Sequence, residues 1–198
     1  MIDLIYPLSK KMTTLPQASL AGSKHRKTEK GVEYFPVIND ECVVVARAER
    51  NYCHSGSMVL HPVVHIHIID RQERIYLQKR SLKKDIQPGR WDTAVGGHVI
   101  FGESIVEAMY REAWEELALN EFNPIYIESY KWECDRELEY VNIFAAVGSF
   151  SLKPDHDEVD EGRWWTLPEI REALGKGVFT EQFEKEFPRI EPKLRALL

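Results

Sequence analysis

The chain has 198 residues, 43% hydrophobic and 29% charged, enough for the core of one domain without a disulfide or metal staple. Its formal net charge of −6 excludes a general nucleic-acid coat and a polybasic membrane binder, and its longest apolar runs are too short to span a bilayer. Three cysteines, Cys42, Cys53 and Cys134, lack C-x-x-C spacing and read as reduced thiols of a cytoplasmic protein; Met1 to Lys11 carries no secretory pattern.

Residues 1–30 hold six basic and two acidic side chains, which makes them +4 and the rest of the chain −10. Lacking a clear period, they are expected to form an irregular N-terminal arm, with one domain over 31–198. Tyr34–Ile38 and Cys42–Ala46, short apolar runs around Asn39-Asp40, predict a β-hairpin that could pair across a homodimer axis. Arg47 to Met58 is polar and turn-rich. Val59–Ile69, rich in β-branched residues, and Ile75–Lys79 predict a second, central hairpin. A basic loop ends at Pro88-Gly89, Trp91–Val95 reads as a short strand, and Gly96-Gly97 break the pattern. Ser104–Leu117 predicts a helix, with Ser104 and Glu107 as its capping box. Ile125–Glu133 and Glu139–Phe150 predict two more strands, and Pro154–Gly162 an acidic loop. Trp164-Trp165 leads to a short helix opened by Pro168 and ending at Leu174. Residues 180–197 predict a final helical stretch interrupted at Pro188 and Pro192. Strands in the middle and helices at the end give an α+β class, an α/β/α sandwich with a mixed β-sheet.

The chemistry concentrates on the predicted helix. At 100° per residue, Glu112, Glu115 and Glu116 project within about 100° of one another, beside an apolar stripe of Val106, Met109, Ala113 and Leu117. Three carboxylates on one arc repel unless a cation joins them, and hard oxygen ligands grouped in this way suit Mg²⁺ or Mn²⁺. A solvated acidic face is the alternative on spacing alone. The wider context is Gly97, then Glu103, then Arg111-Glu112-Ala113-Trp114-Glu115-Glu116-Leu117-Ala118-Leu119. This resembles the Nudix box, G-x5-E-x7-R-E-U-x-E-E-x-G-U, with every charged position filled at its spacing. It departs at Ala118, which replaces the last glycine and disfavours a left-handed helix exit, and at Ala113, small for a bulky apolar position. The resemblance implies that Glu112, Glu115, Glu116 and the Gly96 carbonyl hold the ion. It also implies that Arg111 braces Glu103, and that Glu103 touches metal or serves as a base.

A second resemblance runs through Leu60-His61, then Gln78 to Trp91, then Gly96-Gly97-His98. It is to isopentenyl-diphosphate isomerase, a Nudix-fold family that holds a divalent metal with three histidines and two glutamates. The matching positions are His54, His61, His98, Glu137 and Glu139, a set whose chemistry suits Zn²⁺ or Mn²⁺. Arg80 and Lys84 match diphosphate-binding positions, and Lys79, Lys83 and Arg90 extend the basic patch. His65 and His67 match no motif and are read as structural. Trp132 and Trp164 are open between a stacking and a core role, and Trp165 is read as core.

The isomerase resemblance has three departures. Gly96 stands where that family has a proton-carrying cysteine. Glu112 stands where it has an arginine. Gln182 stands where it has a carbocation-stabilising tryptophan. The expected function is therefore a divalent-metal-dependent hydrolase of a diphosphate linkage in a nucleoside diphosphate linked to another moiety. The alternatives are a prenyl-diphosphate isomerase and a non-catalytic nucleotide-binding module. The partner would be a small-molecule diphosphate substrate, not a nucleic-acid polymer or a membrane.

Overall fold

A computed structural model describes residues 31–84, 86–155 and 159–198. The expected arm over 1–30 lies outside the described residues, as does part of the acidic loop. Strands β1 (Tyr34–Ile38) and β2 (Val44–Glu49) pair antiparallel as a separate ribbon. The second strand begins later than expected because Asn39 closes a longer turn, its Oδ1 accepting from the backbone N–H of Glu41 and Val43. The polar segment that follows contains a single helical turn, α1 (Arg50–Cys53).

The main sheet is built on β3 (Leu60–Ile69), all ten of whose residues are buried. Such a run suits a central strand covered on both faces. It pairs antiparallel with β4 (Arg74–Arg80) and β6 (Val95–His98), and parallel with β8 (Leu138–Val147). Strand β5 (Trp91–Asp92) extends the sheet beside β4, and β7 (Ile125–Glu133) lies antiparallel to β8. The single strand expected over Trp91–Val95 is therefore two, and Gly96-Gly97 lie within the second. Strand β9 (Val159–Thr166) pairs with β4 and replaces the end of the expected acidic loop. Its Asp160 and Glu161 are exposed while Val159 and Trp165 are buried, so its acidity marks an outer face.

Helix α2 (Ile105–Leu117) covers one face, packing Ala108, Met109, Ala113 and Leu117 against Val64, Ile66 and Ile68 of β3. Helices α3 (Leu167–Ala173) and α4 (Glu181–Arg195) cover the other, where Phe183, Phe187, Ile190 and Leu194 meet Val63 and Ile69. The mixed α/β/α sandwich expected from the sequence is thus present. Two details differ. Helix α4 runs unbroken through Pro188 and Pro192: each proline removes an N–H, but four buried apolar side chains on one face hold the segment helical. Ala118 takes the left-handed conformation that its side chain disfavours, at φ 51°. There its N–H and that of Leu119 donate to the carbonyls of Trp114 and Ala113, satisfying two groups at the helix end.

Candidate functional site

The two faces of the sheet meet at β6, and each of its glycines serves one of them. A side chain at Gly97 would collide with Glu112, whose Cδ lies 2.0 Å from the point a Cβ would occupy. The bare backbone lets α2 bring its carboxylates against the strand. The Gly96 N–H donates to Glu116 Oε2 at 3.2 Å, and Gln78 Nε2 donates to the same oxygen at 3.1 Å. Glu116 is thereby fixed although it is only 6% exposed.

Arg111 is the hub of the acidic set. Its Nε and one terminal nitrogen donate to the two oxygens of Glu103, at 2.8 and 2.9 Å. The other terminal nitrogen donates to Glu112 at 2.7 Å and to Glu115 at 3.1 Å. A further bond reaches the His98 carbonyl at 2.8 Å. Burial alone would ease the proton off the guanidinium, but Glu103 and Glu112 outweigh it and hold Arg111 more firmly charged than usual. The Ser104–Glu107 capping box starts α2 where the sequence places it, which sets the rotation of all three glutamates. The expected brace between Arg111 and Glu103 is thus present. Glu103 has both oxygens committed to Arg111 and accepts from the Ile100 N–H as well.

On the opposite face of β6, His54, His61, His98 and Glu137 bring one ligand atom each within 4.8 Å of one another. His54 follows α1, His61 lies on β3, His98 ends β6 and Glu137 precedes β8, so four separated stretches converge. His54 Nε2 lies 3.0 Å from His98 Nε2 and 3.4 Å from Glu137. His61 Nδ1 donates to the Val59 carbonyl at 2.9 Å, which orients the ring. Its buried Nε2 has no hydrogen-bond partner among the described residues, an orphaned lone pair of the kind a cation satisfies. Burial pushes the His54 imidazole down to about 4, with Arg50 adding to it; it lowers His61 as well, and His98 well below the usual range. All three rings are therefore neutral at neutral pH, the state a metal ligand requires. Glu139 stands beside the group, 3.6 Å from His98 Nε2, with its other oxygen accepting from Gln182 at 2.9 Å. Burial, with Glu137 behind it, raises Glu139 to about 7. The donor set, three neutral imidazoles and the Glu137 carboxylate with Glu139 beside them, fits a divalent ion of the Zn²⁺ or Mn²⁺ type.

Arg111, Glu112, Glu115 and Glu116 of the first group and His54, His98, Glu137 and Glu139 of the second line one cleft of about 730 Å³, which Arg80, Lys83 and Lys84 border as well. Arg80 is oriented by bonds to the Ile86 carbonyl at 3.1 Å and to Asp92 at 3.4 Å. Two further cations on the cleft wall, Arg50 and Arg136, carry no motif in the sequence. Trp132 lines the cleft while remaining 6% exposed, and Trp165 is core at the same exposure.

His65 and His67 share one partner that the sequence did not flag. Glu186, on α4 and 1% exposed, lies 3.0 Å from His65 Nδ1 and 2.6 Å from His67 Nε2, and accepts from the Tyr130 hydroxyl at 2.7 Å. Burial alone would lower His65, but the Glu186 carboxylate outweighs it and holds the imidazole up at about 9. The same pairing holds Glu186 well below the usual carboxylate range against its burial. The only advance signal was the i, i+2 spacing of the two histidines, which puts them on one strand face.

A family model described as the NUDIX domain matches residues 59–183. An isopentenyl-diphosphate Delta-isomerase of Streptomyces griseus is 26% identical over 192 residues, covering 94% of this chain and 96% of its own length. An uncharacterized Nudix hydrolase of Yersinia pestis is 30% identical over 144 residues, 70% of this chain and 76% of its own. Among solved structures, a Deinococcus radiodurans protein superposes with a TM-score of 0.70 at 20% identity, over 79% of this chain and 98% of that one. The NUDIX domain of Shewanella oneidensis NrtR, solved with ADP ribose, gives 0.55 at 15% identity over 68% and 87%. These last two likenesses show the fold. With the domain match spanning more than half its length, the chain belongs to the Nudix family, in the branch that resembles isopentenyl-diphosphate isomerase.

Proposed function

We propose that the protein is a divalent-metal-dependent hydrolase that cleaves a diphosphate linkage in a nucleoside diphosphate joined to another moiety. The observation that carries this reading is the carboxylate set Glu112, Glu115 and Glu116 at the cleft with Arg111 among it, and Glu103 bound to Arg111. Glu112, Glu115, Glu116 and the Gly96 carbonyl would hold Mg²⁺ or Mn²⁺, which neutralises diphosphate oxygens and makes a water more nucleophilic toward phosphorus. Gln78 and the Gly96 N–H fix Glu116 in a single orientation. Arg111 keeps Glu103, Glu112 and Glu115 in register. Arg80 and Lys84 bind the oxyanions of the substrate from the basic side of the cleft. Turnover of a panel of nucleoside diphosphate compounds with Mg²⁺ or Mn²⁺ tests the reading. Glu116→Gln is expected to lose about a hundredfold or more in kcat, since it removes a charge that acts on the transition state. Equal turnover by the two proteins overturns the assigned role.

One observation favours a second reading, a prenyl-diphosphate enzyme: the convergence of His54, His61, His98 and Glu137, with Glu139 beside them. Against isomerisation stands Gly96, which has no side chain to carry a proton. Deuterium incorporation into carbon of isopentenyl diphosphate in D₂O separates the two, and none is expected. Tight nucleotide binding without turnover would instead indicate a binding module. The exposed Val43, Val44 and Val45 at β2 support pairing of two copies along that edge, which sedimentation measures.

A further inference from the structure

Strands β3 and β6 place His65 directly opposite Gly96 in the antiparallel register. A Cβ added at Gly96 would lie 3.5 Å from His65 Cδ2 and 3.7 Å from Nε2, an ordinary contact. The edge of the imidazole thus borders the space that a side chain at position 96 would take. His65 also belongs to the cleft wall, on the same face of β3 as His61 and near the Glu139–Gln182 pair. Its other ring edge is fixed: Nδ1 lies 3.0 and 3.2 Å from the two oxygens of Glu186. Glu186 is held in turn by Tyr130 and His67. A carboxylate on Nδ1 determines which nitrogen of a histidine faces outward. His67, which shares Glu186, does not line the cleft.

We propose that His65 is a further substrate-contacting residue, its Nε2 meeting an oxygen of the bound diphosphate compound beside Gly96, with Glu186 as its positioning residue. This rests on the cleft being the substrate site. A ring carried by β3 supplies the polar contact that position 96 on β6 lacks. The ring is set against a buried carboxylate, so it loses little freedom when substrate arrives.

The test uses the whole chain with three probes, inorganic pyrophosphate, ADP ribose and isopentenyl diphosphate, each with Ca²⁺ so that binding is read without turnover. Calorimetry gives the affinities, and the side-chain ¹⁵N resonances of the histidines report the contact. On saturation with at least one probe, the His65 Nε2 resonance is expected to move while those of His67 stay in place. His65→Phe, which keeps a ring but removes both nitrogens, is expected to weaken that probe about tenfold, the loss of one hydrogen bond to a charged group. His65→Gln, which keeps a polar end, is expected to restore part of the loss, and His67→Gln to change the affinity less than threefold. If His65→Phe does not fold, the wild-type resonances still decide. A probe that binds while His65 Nε2 stays unmoved for all three overturns this inference and leaves the proposed function standing. No binding by any probe overturns both.

Discussion

Arg111 is the residue on which the acidic half of the cleft depends. Five hydrogen bonds radiate from one guanidinium, to Glu103 twice, to Glu112, to Glu115 and to the His98 carbonyl. A planar fork can satisfy these directions at once and an ammonium cannot. Arg111→Lys is therefore expected to keep the charge but release Glu103 and the β6 carbonyl. A displacement of about 1 Å at such a site costs on the order of a hundredfold in rate, so kcat/KM on the best substrate should fall by about that factor. A change of less than threefold would mean that the fork does not position the carboxylates. The roles of Arg111 and of the glutamates were legible in the sequence because charge and spacing on one helix are local properties. Arg50, Arg136 and Glu186 were not legible, because each gains its place only when distant strands and helices converge.

Helix α4 carries a buried carboxylate into the core. Its apolar face meets the sheet, and Glu186 reaches through that face to His65 and His67 on β3 and Tyr130 on β7. The His65 value of about 9 lies above the ordinary 6.5, so folding favours the protonated ring. Its contribution is complete below pH about 6.5 and is lost as pH rises through about 9. Glu186 is held below its ordinary 4.5, so its contribution persists above that pH and is lost only in stronger acid. Unfolding free energy should therefore decline between pH 6.5 and 9. In Glu186→Gln that decline should flatten, with a loss of about 3 kcal/mol near pH 6 from leaving a buried charge uncompensated. Urea titrations across the range measure both, and an alkaline slope unchanged in the variant would refute the pairing. Helix α2 yields a prediction of opposite sign. Ala118 occupies a left-handed position, which costs an L-residue roughly 1–2 kcal/mol. Ala118→Gly should raise stability by about 1 kcal/mol, somewhat less than the strain relieved because glycine gains freedom in the unfolded chain. The sequence marked this helix end correctly but misjudged its conformation. The two satisfied N–H groups beyond Trp114 outweigh a penalty that is visible locally. The same competition explains α4, where the two prolines are evident in the sequence and the packing of Phe183 and Phe187 is not.

At the scale of the whole molecule, the histidine site joins four separated stretches of the chain. His54 follows α1, His61 lies on β3, His98 on β6, and Glu137 in the turn before β8. A cation bound to all four would favour the native chain alone, because the unfolded chain offers no preformed set. At a hundredfold excess over its dissociation constant, such an ion adds about 2.7 kcal/mol to the unfolding free energy. In a domain of this size that corresponds to roughly 5–10 °C in Tm. Zn²⁺ or Mn²⁺ should therefore raise the Tm of the chelator-treated protein by that order. His61→Ala should remove the increment whatever it does to the metal-free Tm, since it deletes the one ligand whose Nε2 is buried and unpartnered. Mg²⁺ should give a smaller shift, because imidazoles suit it poorly, and that shift should survive His61→Ala while falling in Glu116→Gln. Equal Zn²⁺ shifts in the wild type and in His61→Ala would place the ion elsewhere and leave the convergence of the three rings a feature of packing alone.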